Sequence, residues 1–71
     1  MRGREVIRKL IDFGCVELRQ KGSHRQFVSP CGRCHTTVAD HAGRDIFRGT
    51  IAKIERDMAP CLGEKWLTGS K

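Results

Sequence analysis

Two apolar stripes at helical spacing bracket a middle segment that has none, and this order limits the chain to a few folds. Val6, Ile7, Leu10 and Ile11 form the first stripe, with Arg8 and Lys9 between them. Phe47, Ile51, Ile54 and Met58 form the second, at i, i+4, i+7 and i+11. Gly3 can cap the start of the first helix, and Gly14 stops it. Pro60 is expected to end the second. Between them, Cys15 to Lys21 alternates: Val16, Leu18 and Gln20 on one face, Cys15, Glu17 and Arg19 on the other. Gly22-Ser23 reads as a two-residue hairpin turn, and His24 to Ser29 as the return strand. Pro30-Cys31-Gly32-Arg33 is a second turn, and Cys34 to Ala39, with Thr36, Thr37 and Val38, a third strand. Asp40 to Gly49 reads as a loop.

Two amphipathic helices and a three-stranded meander bury most simply with both helices on one face of the sheet. The expected fold is therefore α+β, in the order α-β-β-β-α, with a three-stranded antiparallel sheet. The sheet's other face is left to solvent or a ligand. This is the plan of a double-stranded-RNA-binding domain. With 71 residues there is room for one thin core and no deep pocket. Chemistry on such a chain belongs on an open surface, which suits a polymeric substrate better than a buried metabolite. Residues 61–71 read as a polar C-terminal tail, in which Leu62, Trp66 and Leu67 can dock as a short turn.

The formal net charge is +6, and it is unevenly placed. No Asp or Glu occurs from Leu18 to Ala39, whereas Arg19, Lys21, Arg25, Arg33, His24 and His35 do. A cationic stretch of this kind attracts polyanions. No apolar run is long enough to span a bilayer, and the N-terminus leads into an amphipathic pattern rather than a signal peptide. A soluble cytoplasmic protein is the expectation.

The segment Arg19-Gln20-Lys21-Gly22-Ser23-His24-Arg25-Gln26-Phe27 carries the chemistry. A histidine at a tight turn, close to backbone amides and flanked by cations, suits RNA cleavage. Imidazole is a proton donor and acceptor at useful pH. Cations stabilise the extra charge of a pentacovalent phosphorane. RNA supplies its own nucleophile, the 2′-hydroxyl. His24 and Phe27 are an odd number of positions apart, so with Phe27 in the core His24 points to the open face. Read from these residues alone, a catalytic His24 and a merely solvated one stand level.

Cys31-Gly32-Arg33-Cys34 admits several readings. With His35 it matches the c-type haem attachment pattern, but attachment needs export and the fold leaves no room for a haem. A zinc knuckle of Cys31 and Cys34 would be completed by two of Cys15, Cys61, His35 or His41. A disulfide is disfavoured in a reducing compartment. Free thiols, with Cys15 and Cys61 part buried, are the leading reading. His41 is a second candidate for proton transfer, read first as a solvated loop histidine. Trp66 is read as packing the tail down or meeting a partner rather than stacking a base.

From Glu5 to about Met58 the chain resembles the HicA (YcfA-like) family of mRNA interferase toxins. The likeness runs from the first helix through Phe13-Gly14 to Arg19-Gln20-Lys21-Gly22-Ser23-His24-x-x-Phe27. It continues in Gly32-Arg33-x-x-Thr36-Thr37-Val38, His41, Ile46 and Gly49-Thr50-Ile51. Val38-Ala39 stands where the family has Val-Pro, and Cys31/Cys34 where it generally has no cysteine pair. The resemblance implies the toxin of a type II toxin–antitoxin system, with residues 1–60 as the toxin domain. It implies metal-independent endonucleolytic cleavage of mRNA, without a cofactor, by general acid/base catalysis from His24. RNA phosphates would dock on Arg19, Lys21, Ser23, Arg25 and Arg33. It implies a HicB-like antitoxin covering the active face, no membrane contact, and a monomer that becomes a hetero-oligomer with its antitoxin. The other reading of the same fold is a nucleic-acid-binding module without catalysis, zinc-stapled at Cys31/Cys34.

Overall fold

A computed structural model describes residues 1–41 and 44–69. Helix α1 (Gly3–Asp12) leads into strands β1 (Val16–Lys21), β2 (His24–Val28) and β3 (His35–Ala39), and helix α2 (Arg48–Leu62) follows. The sheet is antiparallel with order β1-β2-β3. The expected architecture is the observed one.

The ends of α1 are chemically specified. The Glu5 carboxylate accepts the Arg2 backbone N–H at 2.8 Å and places negative charge at the positive end of the helix. Arg2, not Gly3, is the N-cap. Gly3 serves close packing instead: a Cβ there would lie 2.9 Å from the Ala39 carbonyl oxygen and 2.9 Å from the Asp40 Cα. At the other end Gly14 adopts φ +89°. Its N–H donates to the Ile11 carbonyl at 2.9 Å and the Cys15 N–H to that of Leu10 at 3.0 Å, the paired bonds of a Schellman motif. The chain thereby reverses straight into β1.

Phe27, Thr36 and Val38 are buried on one face of the sheet, where β2 pairs Phe27 with Thr36. Val6, Leu10, Ile54 and Met58 cover them from the two helices. Ile11 and Phe47, assigned from their spacing to the apolar stripes, are exposed. Phe47 is the N-cap of α2 rather than part of its buried face, and at 84% exposure it contributes nothing to the core. Helix α2 also runs past Pro60 to Leu62. Pro60 leaves the Arg56 carbonyl without its helical N–H partner and crowds it, yet the helix makes one more turn and Gly63 N–H closes the end on the Ala59 carbonyl at 2.8 Å.

Residues beyond α2 belong to the core. Trp66 and Leu67 are buried. The Trp66 indole N–H donates to the Glu55 carbonyl oxygen at 2.8 Å, and its ring meets Phe13 edge-on at 5.8 Å. The Glu55 carboxylate accepts the backbone N–H of Leu67 (3.0 Å) and of Thr68 (2.7 Å).

These packing assignments separate two aromatic residues that the sequence pattern treats alike. Phe27→Ala is expected to cost about 3–5 kcal/mol, enough to unfold much of a domain this small, whereas Phe47→Ala should stay within about 0.5 kcal/mol of the parent. Urea unfolding followed by Trp66 fluorescence measures both.

Candidate functional site

The alternation of β1 breaks at Leu18. Glu17 pairs with Phe27 but Arg19 with Gln26, so Leu18 is an extra residue in the strand. Such a bulge shifts every later side chain to the other face. Glu17 and Arg19, expected on one face, are therefore separated. Glu17 faces the helix side with Phe27; Arg19 and Lys21 join the open side, across from Gln26 and His24.

The open face then holds successive cross-strand rows. Lys21, His24 and Ala39 form the row at the hairpin end. Arg19, Gln26 and Thr37 form the next, and Val16, Val28 and His35 the third. Arg19, Lys21, His24, Gln26 and Thr37 line a shallow pocket of about 270 Å³. His24 is solvent-exposed, as its parity with buried Phe27 requires. His41, also exposed, stands beside it: the ring centroids are 6.4 Å apart and the rings lie at 75°. The Ser23 carbonyl accepts the Asp40 N–H at 2.7 Å, which fastens the hairpin turn to the segment carrying His41.

Two other residues expected at the site lie elsewhere. Arg25 points to the helix side. Its Nε and Nη2 donate to the Glu17 carboxylate at 2.8 and 2.9 Å, and its Nη1 to Asp40 at 3.4 Å. Its guanidinium also sits 5.9 Å from the centre of the Phe27 ring. With both carboxylates engaged, Arg25 is a brace across β1, β2 and the end of β3 and not a free phosphate ligand. Arg33 precedes β3 while His24 pairs with its far end, a separation of about 20 Å at the usual strand rise. It lines a different cavity, with Cys31, Cys34 and Cys61. Gln26 and Thr37 were not singled out from the sequence. Period-two counting from His24 finds Gln26; Thr37 needs the β2–β3 register.

The model of the HicA toxin of bacterial toxin–antitoxin systems matches residues 3–59 of this chain. The chain belongs to the HicA toxin family. No curated protein matches the sequence. Membership in the HicA toxin family implies an antitoxin partner. Among the described residues no helix is long and apolar enough to cross a membrane. The HicA match ends before Cys61, Trp66 and Leu67, although all three pack on or in the core.

At the cysteine end of this HicA toxin, Cys31 Sγ lies 2.6 Å from Cys61 Sγ and 3.1 Å from the Ser29 hydroxyl. These two contacts hold the Cys31 thiol down, to about 7. The same contact with Cys31, and one with Cys34, push Cys61 up to about 11.

Arg25 also sets an acid dependence. Its hydrogen bonds hold the Glu17 carboxyl below the usual 4.5. Glu55 is likewise lowered: burial opposes this, but hydrogen bonds from the Thr68 and Leu67 N–H groups outweigh it. A carboxyl lowered in the folded state stabilises fully above its unfolded value, and that contribution drains away as pH falls through the folded value. The melting temperature should therefore fall as pH drops below about 4.5. Glu17→Gln should flatten that acid limb in thermal melts while lowering stability at neutral pH.

Proposed function

We propose that this HicA family toxin is an mRNA endonuclease in which His24 is the catalytic acid/base. The carrying observation is the exposed His24 ring opposite Lys21 and one row from Arg19 on an uncovered sheet face, with His41 at 6.4 Å. RNA phosphates dock on Arg19 and Lys21. One imidazole takes the proton of the ribose 2′-hydroxyl as its oxygen attacks phosphorus. The P–O5′ bond breaks, and the 5′-oxygen receives a proton from the other imidazole. The products are a 2′,3′-cyclic phosphate and a free 5′-hydroxyl. Two rings 6.4 Å apart on one rim suit the two ends of an in-line displacement. The nucleophile comes from the substrate, so these steps require no metal. Arg25 acts at one remove, holding Asp40 and with it the segment that carries His41.

The partner is a HicB-like antitoxin that covers the open face and shields His24. The chain is a monomer alone and a hetero-oligomer with that antitoxin. The mRNA substrate and the cytoplasm are the setting in which such a toxin acts.

His24→Ala should lower cleavage of a single-stranded RNA by on the order of 10²–10⁴-fold, in buffer without added divalent ions, and relieve growth arrest on induction. His41→Ala should lower the rate with little change in RNA affinity. Equal cleavage by wild type and His24→Ala would leave only the reading of a non-catalytic RNA-binding module. Arg19→Ala and Lys21→Ala should each reduce the slope of log affinity against log salt by about 0.7. Arg25→Ala should leave that slope unchanged and lower the melting temperature.

A further inference from the structure

All four cysteines of the chain, which the mechanism above does not use, gather at the end of the sheet away from His24. They come from separate elements. Cys15 follows the Gly14 turn. Cys31 sits in the β2–β3 turn, Cys34 just before β3, and Cys61 in the last turn of α2. Cys61 Sγ is 2.6 Å from Cys31 Sγ and 2.8 Å from Cys34 Sγ. Cys15 is buried in the core cluster that also holds Cys34 and against which Cys61 packs. All four are free thiols.

A disulfide does not account for this arrangement. It joins two sulfurs about 2.05 Å apart, whereas Cys61 faces two thiols at nearly equal and longer distances. We propose that Cys31, Cys34 and Cys61 bind a zinc ion, with Cys15 as the fourth ligand. Cys31-x-x-Cys34 on a tight turn is the spacing of a zinc knuckle, and four thiolates form a closed structural site. The structure narrows the candidate ligands. His35 pairs with Val28 on the open face of the sheet, and His41 lies at the other end beside His24.

In the present side-chain positions Cys61 Sγ touches the sulfurs of Cys31 and Cys34, and no group of three or more ligand residues among those described is already arranged to hold a metal ion. Zinc–sulfur bonds of about 2.3 Å in a tetrahedron set sulfurs roughly 3.8 Å apart, so Cys31 and Cys34 each draw about 1 Å away from Cys61 as the ion enters. Cysteine side-chain rotation supplies that movement. The space is there: Cys31, Arg33, Cys34, Asp57, Pro60 and Cys61 line an open cavity of about 650 Å³. Four thiols release four protons to solvent, four zinc–sulfur bonds form, and nothing is oxidised or reduced. The excess negative charge of the tetrathiolate site faces Arg33 in the same cavity. The Ser29 hydroxyl, which accepts the Cys34 N–H at 3.2 Å and contacts Cys31 Sγ, holds the knuckle turn in shape. The ion would tie the end of α2 to the sheet, a staple that a chain this short can use.

The test needs no RNA, so its outcome is separate from that of the nuclease reading. The protein, purified without chelator, should carry one zinc per chain by elemental analysis. Cobalt added to the metal-free protein should give the intense thiolate charge-transfer and tetrahedral d–d bands of a sulfur-rich site. Cys61→Ser should reduce bound zinc to background and lower the melting temperature, and Cys15→Ser should alter the cobalt spectrum. If Cys61→Ser fails to fold, the wild-type cobalt spectrum decides. Protein that binds neither metal, that loses two protons of mass to a disulfide, or that keeps its zinc in the Cys31→Ser/Cys34→Ser variant overturns the proposal.

Discussion

A three-stranded sheet has two faces, and two short helices have enough apolar surface to cover one. Burial of Phe27, Thr36 and Val38 beneath Val6, Leu10, Ile54 and Met58 decides which face that is. Strand alternation then sends His24, Gln26 and Thr37 to the other side without any local instruction of their own. The uncovered face is what the core leaves over, and it is where the histidine and its cations stand.

The cations reach that face through an irregularity. Without Leu18 as an extra residue, Glu17 and Arg19 would share a side, and an acid would stand two positions from the basic rim. The bulge keeps Glu17 on the helix side of the edge strand, where Arg25 meets it with two hydrogen bonds. One acid and one base of the central segment thus neutralise each other on the covered side. Arg19 and Lys21 are left on the open side with no acidic neighbour in the cross-strand rows. The cost of an interrupted ladder is local; the gain is a sorted charge distribution.

Much of this is legible in the sequence because it follows from short-range rules. The helical stripe of α1, the Gly14 stop, the Gly22-Ser23 turn and the parity of His24 with Phe27 all depend on neighbours within a few residues. What was not legible depends on contacts between distant segments. The face of Arg25 follows from its even spacing to Phe27, but the face of its partner Glu17 relative to Arg19 follows from the bulge at Leu18, which no spacing rule announces. Phe47 fits the stripe of α2 by position, but the helix begins after it and no element packs over it. Pro60 is a stop signal by type, yet α2 runs on to Leu62, where Gly63 N–H closes it on Ala59. The hidden role of Gly3 needs the Ala39 carbonyl beside it to be seen. For the candidate site, composition and turn chemistry group His24, Arg19 and Lys21, and the three share the open face. Arg33 was grouped with them by sequence proximity alone, and the length of β3 carries it away.

Trp66 and Leu67 add a practical consequence. They close the core against Phe13 and the Glu55 carbonyl, yet they fall after residue 59, where the family match stops. A family boundary drawn from shared sequence is therefore not a safe place to cut this chain. A fragment trimmed there would lose the lid over its own interior, and a fusion joined at that point would cut α2 before its end.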